Sequence, residues 1–295
     1  MPSLKDVQLQ IAGVKKTKQI TKAMNMVASA KLRGAQSRIE RFRPYAEKFY
    51  EMLGDLASKA DENAHPLLEV REEIKTCAIV LATSDRGLCG SFNAGLISKA
   101  NKLAKAKTAE GKEVKFYCVG KKGRDFAHKS EFDLVKGYPD VMGNFDFSLA
   151  NELGMEVIHS YLTGEFDEVV LIYGEFVSMG KQIPVEQQIL PMSSEHAPEV
   201  EEDDTYGVKK EFIYEPAVEG LLAELLPRFI KVQIYRGLLD TSASEHAARM
   251  AAMDNATKNC DEMVDNLTLI YNKTRQAAIT SDLMDIVGGA EALKG

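Results

Sequence analysis

Residues 4–32 read LKDVQLQIAGVKKTKQITKAMNMVASAKL, and this stretch decides the fold. Stepping alternately by three and four residues from Leu4 to Leu56 meets sixteen positions, of which thirteen are apolar. A 3.5-residue apolar repeat sustained over seven heptads is typical of a coiled coil. These seam positions are Leu4, Val7, Ile11, Val14, Lys18, Thr21, Asn25, Ala28, Leu32, Ala35, Ile39, Phe42, Ala46, Phe49, Leu53 and Leu56.

The C-terminal part of the chain carries a second seam of the same period. Thirteen of its sixteen positions are apolar, and the chain between the two ends contains no further seam with which either could pair. We therefore predict that the two terminal helices pack on each other, antiparallel, with the middle of the chain forming a separate domain. The positions of this second seam are Val218, Leu222, Leu225, Phe229, Val232, Arg236, Leu239, Ala243, His246, Met250, Met253, Thr257, Cys260, Val264, Leu267 and Tyr271.

The middle of the chain alternates short apolar runs with helical patterns, which predicts a mostly parallel sheet covered by helices. The division is a coiled-coil shaft of residues 1–60 and 211–295 and a Rossmann-like α/β domain of residues 70–210. The predicted strands are 76–84, 112–119 and 168–173, the helices are 92–107, 121–130 and 147–162, and a hairpin joins 175–177 to 183–190 through Ser178-Met179-Gly180-Lys181.

Local signals mark the ends and irregularities of the terminal helices. Ser3 is a plausible N-cap of the first helix, and Pro44 predicts a kink rather than an end because the apolar register continues beyond it. Pro227 should kink the last helix, whose end is predicted at Gly288-Gly289. Residues 212–214 are expected to form a last short strand.

Composition bounds the class of protein. The 295 residues are 45% hydrophobic and 27% charged, with a net charge of −7, and no apolar run approaches a membrane span. Residues 1–43 contain ten Lys and Arg against two acids, so this segment alone carries +8. A basic helix suits nucleic acid, an anionic membrane surface or an acidic protein partner.

Four cysteines without metal-type spacing fit buried free thiols, and no metal or cofactor is expected.

The segment SDRGLCGSFN, residues 84–93, follows the first predicted strand and opens a helix, where α/β folds place ligands. It lacks the lysine of a phosphate loop and the third glycine of a dinucleotide fingerprint. Cys89 resembles the nucleophile of a strand-to-helix elbow, but Ser91 replaces the last glycine, and no histidine lies in a catalytic motif. A tight structural turn is the favoured interpretation, and a cysteine enzyme is kept as an alternative.

Two segments depart from the seam. Lys18, Thr21 and Asn25 are consecutive polar seam positions, so the first helix is expected to stop facing only its partner helix there. After Tyr271 the second seam ends, and a new apolar stripe begins at Ile279. Because no further chain remains to cover these stripes, another protein is expected to do so.

These segments resemble the gamma subunits of F-type ATP synthases. The resemblance rests on QITKAMNMVASAK at 19–31, SDRGLCGSFN at 84–93, RMAAMDNAT at 249–257, LTLIYN at 267–272 and RQAAIT at 275–280. It covers nearly the whole chain.

The resemblance implies a non-catalytic rotor. Its coiled coil would turn inside a ring of three alpha and three beta subunits. Its α/β domain would contact the epsilon subunit and the membrane-embedded c-subunit ring, and rotation would couple proton flow to ATP synthesis or hydrolysis. Because the chain shows no transit peptide, a bacterial source is expected, on the cytoplasmic face of the cell membrane.

Seven contacts with the beta subunits are implied by the same resemblance. The family commonly has Glu at the last two of these positions, so hydrogen bonds made there by relatives are in doubt here. The cysteine pair of the chloroplast form is not found. The seven residues are Lys22, Met24, Arg249, Gln276, Thr280, Asp282 and Asp285.

A nucleic-acid-binding coiled coil is the remaining alternative, because the first helix is basic. Such proteins prefer aromatic side chains among the basic ones, and no aromatic residue occurs before Phe42. This observation counts against nucleic acid as the partner.

Overall fold

We analysed a computed structural model of the chain, which describes residues 3–58, 65–68, 71, 73–192 and 218–292. In these residues two long helices enclose an α/β region in the chain order. The elements are α1 (Leu4–Ser58), β1 (Thr76–Ala82), α2 (Phe92–Ala109), β2 (Glu113–Val119), α3 (Lys121–Ala127), β3 (Asp133–Tyr138), α4 (Phe147–Leu162), β4 (Glu168–Ser178), β5 (Lys181–Leu190) and α5 (Val218–Ala292). The expected strand at 212–214 lies outside the described residues.

The chain forms two compact units. One comprises Met1–Ser29 with Arg249–Gly295 and is called the helix-pair unit; the other, Ala30–Ala248, is called the sheet unit. Both terminal helices contribute a segment to each unit. The domain division drawn from the sequence stays a prediction.

The sheet unit is built on a five-stranded sheet of order β3-β2-β1-β4-β5. The first four strands are parallel, and β5 pairs antiparallel with β4 through the predicted hairpin at Met179-Gly180. The mostly parallel sheet is thus confirmed. The edge strand β3 is absent from the sequence prediction, because Lys136 and Gly137 interrupt its apolar pattern.

Two apolar cores lie on the two faces of this sheet, since alternate side chains of a strand point to opposite faces. Val80 and Leu171 lie in one core, with α4 and segments of α1 and α5. Ile79 and Ile172 lie in the other, with α2 and α3. Both faces of the central strands are therefore buried, which explains their continuous apolar runs.

Segments of α1 and α5 pack side by side within the sheet unit. The ring of Phe42 meets Tyr235 edge-on at 5.0 Å, and Phe49 stacks on Phe229 at 6.3 Å. The α1 numbers rise while the α5 numbers fall, so the two segments run antiparallel, as predicted.

The ends of the elements differ from the predictions in places. Ser3 caps α1 as predicted: its hydroxyl accepts a hydrogen bond from the Asp6 amide at 3.2 Å. Helix α1 continues through Pro44, and α5 continues through Pro227 and past Gly288-Gly289 to Ala292, so the predicted C-terminal end is wrong. Helix α3 stops at Ala127 rather than at residue 130.

Candidate functional site: the exposed end of the helix pair

The helix-pair unit has a continuous seam. In α1, Val7, Thr21 and Ala28 are buried and the seam positions between them are half-buried, while most other side chains are exposed. In α5, Met253 is buried and the later seam positions up to Tyr271 are half-buried. The seam register read from the sequence is thereby confirmed for this unit.

Three polar seam positions of α1 still face α5. The Thr21 and Thr257 hydroxyls lie 2.8 Å apart, and Lys18 pairs with Asp261. Asn25 Nδ2 donates to the backbone carbonyl of Met250 at 2.9 Å. Each polar side chain finds a partner across the seam, so these positions can be buried without loss of hydrogen bonds.

On the same stretch of α1 two apolar side chains point away from the seam. Ile20 is 54% exposed and Val27 is 58% exposed. The expectation that α1 stops facing only its partner helix here is therefore confirmed.

The C-terminal end of α5 extends without a partner among the described residues. Every side chain from Arg275 to Ala292 is exposed. Ile279 is 57% exposed, Leu283 is 56% and Ile286 is 71%, and these three lie at helical spacing on one face. The predicted end of the seam and the new stripe are both present. An apolar face of this kind marks a protein interaction site.

The seven residues implied by the family resemblance all lie in the helix-pair unit, in two groups. Lys22 is exposed, Met24 is half-buried and Arg249 is buried at 8% exposure. The second group is exposed at the end of α5 and comprises Gln276, Thr280, Asp282 and Asp285.

The two groups are far apart along α5. Between Arg249 and Gln276 the helix rises about 40 Å at 1.5 Å per residue. Within the second group, the Thr280 hydroxyl donates to the Gln276 carbonyl at 2.9 Å and so stays within its own helix. The carboxylates of Asp282 and Asp285 face solvent.

The surface of α1 in this unit is basic. Lys5, Lys15, Lys16 and Lys22 are all exposed. On α5, Lys258 bonds the Asp254 carboxylate at 2.8 Å, and this hydrogen bond raises the pKa of the lysine. The helix pair thus presents mainly positive charge along α1, which suits an acidic protein surface.

The loop at 84–93 is held together by its own polar groups. Asn93 Nδ2 donates to the Ser84 hydroxyl at 2.7 Å and to Cys89 Sγ at 3.1 Å. Leu88 and Gly90 adopt positive φ angles of 63° and 59°. Cys89 is buried, and neither Ser84 nor Asn93 beside it is a base. The geometry fits the structural turn rather than a nucleophile.

Asp85 has a structural role that the sequence reading missed. Its carboxylate accepts backbone amides from Lys121 at 2.9 Å, Asp140 at 2.8 Å and Met142 at 2.9 Å. One side chain therefore ties the segment after β1 to the start of α3 and to the loop that follows β3. The signal in the sequence was an aspartate directly after a buried strand.

No cation site or membrane span is found in the part of the chain that the structure describes. There, His, Cys, Asp and Glu side chains do not cluster in a group that could hold a metal. None of the described helices combines the length and apolarity needed to cross a bilayer.

Known protein families and sequences are similar to this chain over nearly its whole length. The family model described as ATP synthase matches residues 3–293. The chain is 77% identical to the ATP synthase gamma chain of Nitratidesulfovibrio vulgaris (strain Hildenborough), with both sequences covered fully. It is 57% identical to the ATP synthase gamma chain of Lawsonia intracellularis, again over the full length of both.

Solved structures share the fold. A chain of the central stalk and c-ring of the Tetrahymena thermophila mitochondrial ATP synthase is 28% identical, with a TM-score of 0.58 over 80% of this chain and 99% of that one. A rotor chain of the Euglena gracilis mitochondrial enzyme is 21% identical, with a TM-score of 0.63 over 94% and 98%. The terminal helices, the mostly parallel sheet and these matches over the whole chain together show that the protein belongs to the family of ATP synthase gamma chains.

Proposed function

We propose that this chain is the rotor of the ATP synthase central stalk, a non-catalytic subunit that turns within a ring of three alpha and three beta subunits. Its rotation couples proton flow through the membrane sector to ATP synthesis, or ATP hydrolysis to pumping. The further partners are the epsilon subunit and the c-subunit ring. Family membership and the similarity to central-stalk and rotor chains support this function.

The exposed end of α5 is the observation that carries the proposal. An apolar stripe at Ile279, Leu283 and Ile286 stands in water in the isolated chain. Burial of apolar surface is the main favourable term in association, so this end is suited to insertion into a surrounding protein. Small side chains such as Ala277 and Ala278 leave it smooth enough to turn there.

We propose in addition that the two groups of residues in the helix-pair unit contact the beta subunits. By the family resemblance, the exposed carboxylates of Asp282 and Asp285 stand where glutamates are common, and they are one methylene shorter. Contacts there would be made by bringing the partner closer or through water. This set of contacts comprises Lys22, Met24, Arg249, Gln276, Thr280, Asp282 and Asp285.

The shaft and the α/β domain have different roles in this function. The shaft comprises residues 1–60 and 211–295, and the α/β domain comprises residues 70–210. The chain is part of a membrane-bound complex, and we place it on the cytoplasmic face of a bacterial cell membrane. Contact with the membrane is indirect, through the c-subunit ring.

Co-purification tests the function. The tagged chain, produced with the alpha, beta and epsilon subunits of its own organism, should yield a complex with three alpha and three beta subunits that hydrolyses ATP. Recovery of the chain alone, with alpha and beta subunits free, would overturn the proposal.

The same preparation tests the contact residues. Asp282→Asn and Asp285→Asn should lower the rate of ATP hydrolysis by the complex. Asp265→Asn, which changes an exposed carboxylate elsewhere on α5, is the matched control and should leave the rate unchanged. Equal rates for all three variants would exclude the two carboxylates from the contact set.

A further inference from the structure

The face of α5 that meets β4 carries small residues at helical spacing. Gly237, Thr241 and Ser244 are separated by four and three residues, so they lie on one face of the helix. A Cβ atom built on Gly237 would lie 2.7 Å from Leu171 Cδ2. Any larger side chain there would therefore require Leu171 or the helix itself to shift.

Beyond this close approach, two hydroxyls of α5 bind one residue of β4. The Gly174 amide donates to Thr241 Oγ1 at 3.2 Å. The Ser244 hydroxyl donates to the Gly174 carbonyl at 2.9 Å. Both hydroxyl-bearing side chains are fully buried. Thus both backbone groups of Gly174 are satisfied by side chains of the helix.

The strand register explains why these groups are available. Pairing of β4 with β1 ends at Ile172, opposite Leu81. On its other side Gly174 lies opposite Pro184 in a non-hydrogen-bonded pair, so its amide and carbonyl point away from β5. The Gly174 amide and carbonyl are left without a strand on the β1 side, and α5 takes the place of that strand.

Gly174 is closely packed on its Cβ side, where the tight contact is with α2 and the contact with α5 is an ordinary van der Waals one. A Cβ atom there would lie 2.6 Å from Phe92 Cε2 and 3.5 Å from Ser244 Cβ. At this residue the strand is therefore packed against both α2 and α5. The two hydrogen bonds form in a space that excludes water.

We propose that Thr241, Ser244 and Gly174 form a clasp that fixes α5 on the sheet both along and around the helix axis, so that torque passes between them without slippage. Apolar packing is non-directional and permits small sliding and rotation, whereas hydrogen bonds depend steeply on distance and angle. Two bonds from one helix to one residue restrict both motions. This inference rests on the rotor function proposed above.

Ser242 provides a matched control within the same turn of α5. It is fully buried like its neighbours, and its hydroxyl has no hydrogen-bond partner in the described residues. Ser242→Ala removes a buried hydroxyl and no bond. Thr241→Val removes the acceptor while keeping the side-chain shape, Ser244→Ala removes the donor, and Thr241→Ser keeps the hydroxyl and loses only a methyl group.

The decisive experiment is single-molecule rotation of the assembled complex. A probe is attached through Met179→Cys, an exposed position at the tip of the β4–β5 hairpin, in every variant. The angular variance of the probe is measured during pauses between ATP-driven steps. The Thr241→Val/Ser244→Ala variant should widen this variance about twofold as directional contacts are lost, whereas Ser242→Ala and Thr241→Ser should match the unmodified chain. A variance equal to that of Ser242→Ala would overturn the clasp.

Failure of the rotor function has a different signature, because the unmodified chain would then show no rotation. Hydrogen exchange of the Gly174 amide in the full chain tests the clasp without assembly. Exchange should be about tenfold faster in Thr241→Val than in Ser242→Ala. An amide that stays equally protected in both variants overturns the proposal, even if the double variant fails to assemble.

Discussion

At the scale of single residues, a buried carboxyl group on α5 has a cost in the stability of the sheet unit. Burial raises the pKa of Asp240 to about 6, and the charge of Glu175 adds to the effect. The charges of Arg236 and Arg43 oppose it. The folded chain therefore binds a proton at Asp240 at pH values where the unfolded chain has released it.

This shift predicts a pH-dependent stability. Because the folded-state pKa is raised, the folded state is stabilised by protonation as the pH falls from about 6 to about 4. Above that window the carboxyl group is charged in both the folded and the unfolded state, so its burial lowers the free energy of unfolding by a constant amount. Asp240→Asn should therefore raise the free energy of unfolding at pH 8 by about 2 kcal/mol, a difference that shrinks towards zero near pH 4.

Urea unfolding at several pH values measures this effect. Asp265→Asn, on an exposed part of the same helix, is the control and should leave stability unchanged over the same range. An Asp240→Asn curve parallel to that of the unmodified chain would show that the carboxyl group is solvated in the folded state.

At the scale of elements, the polar stretch of the seam decides how α1 and α5 pair in the helix-pair unit. Apolar seams tolerate a shift of one heptad, because every layer looks alike. Thr21 with Thr257, and Asn25 with the Met250 carbonyl, match only in one alignment. These layers specify the register at some cost in apolar burial.

The hydroxyl pair gives a double-mutant prediction. Thr21→Val and Thr257→Val should each lower the free energy of unfolding by about 1 kcal/mol, with a coupling energy of about 0.5 kcal/mol or more between them. Thr17→Val with Thr268→Val is the control pair. These threonines also bond a carbonyl of their own helix, at 3.1 and 2.7 Å, but they are exposed. Zero coupling for Thr21 and Thr257 would mean that the short distance between them contributes nothing to stability.

Some of the strands could be predicted from the sequence, and one could not. The buried strands β1, β2 and β4 were predicted because both of their faces are apolar. The strand β3 lies at the edge of the sheet, is paired with a neighbour on one side only, and carries Val135 in an exposed position. Its formation depends on pairing with β2, which is a long-range contact that no local pattern records.

At the scale of the whole molecule, the end of α5 can be removed without touching either core. Residues 277–292 are exposed, so a chain ending at Gln276 should keep the free energy of unfolding of the sheet unit within about 0.5 kcal/mol. The same truncation should weaken coupling of ATP hydrolysis to ion transport in the assembled enzyme, because the inserted end of the rotor is missing.

Both readouts are needed to interpret this truncation. Circular dichroism follows folding, and acidification of vesicles per ATP hydrolysed follows coupling. A chain whose sheet unit unfolds on truncation would contradict the expectation that this end serves partners only. Unchanged coupling would contradict its proposed insertion.

The sequence by itself determined the two seams, their register and the mostly parallel sheet, because each rests on a periodic burial of apolar side chains. The motifs at 19–31 and 249–257 also identified the family. Tertiary structure alone decided the polar partners. Thr257 and Met250 lie more than two hundred residues from Thr21 and Asn25, and Gly174 is held by hydroxyls of α5. Hydrogen bonds depend on position within tenths of an ångström, and only the folded chain brings such distant groups to that distance.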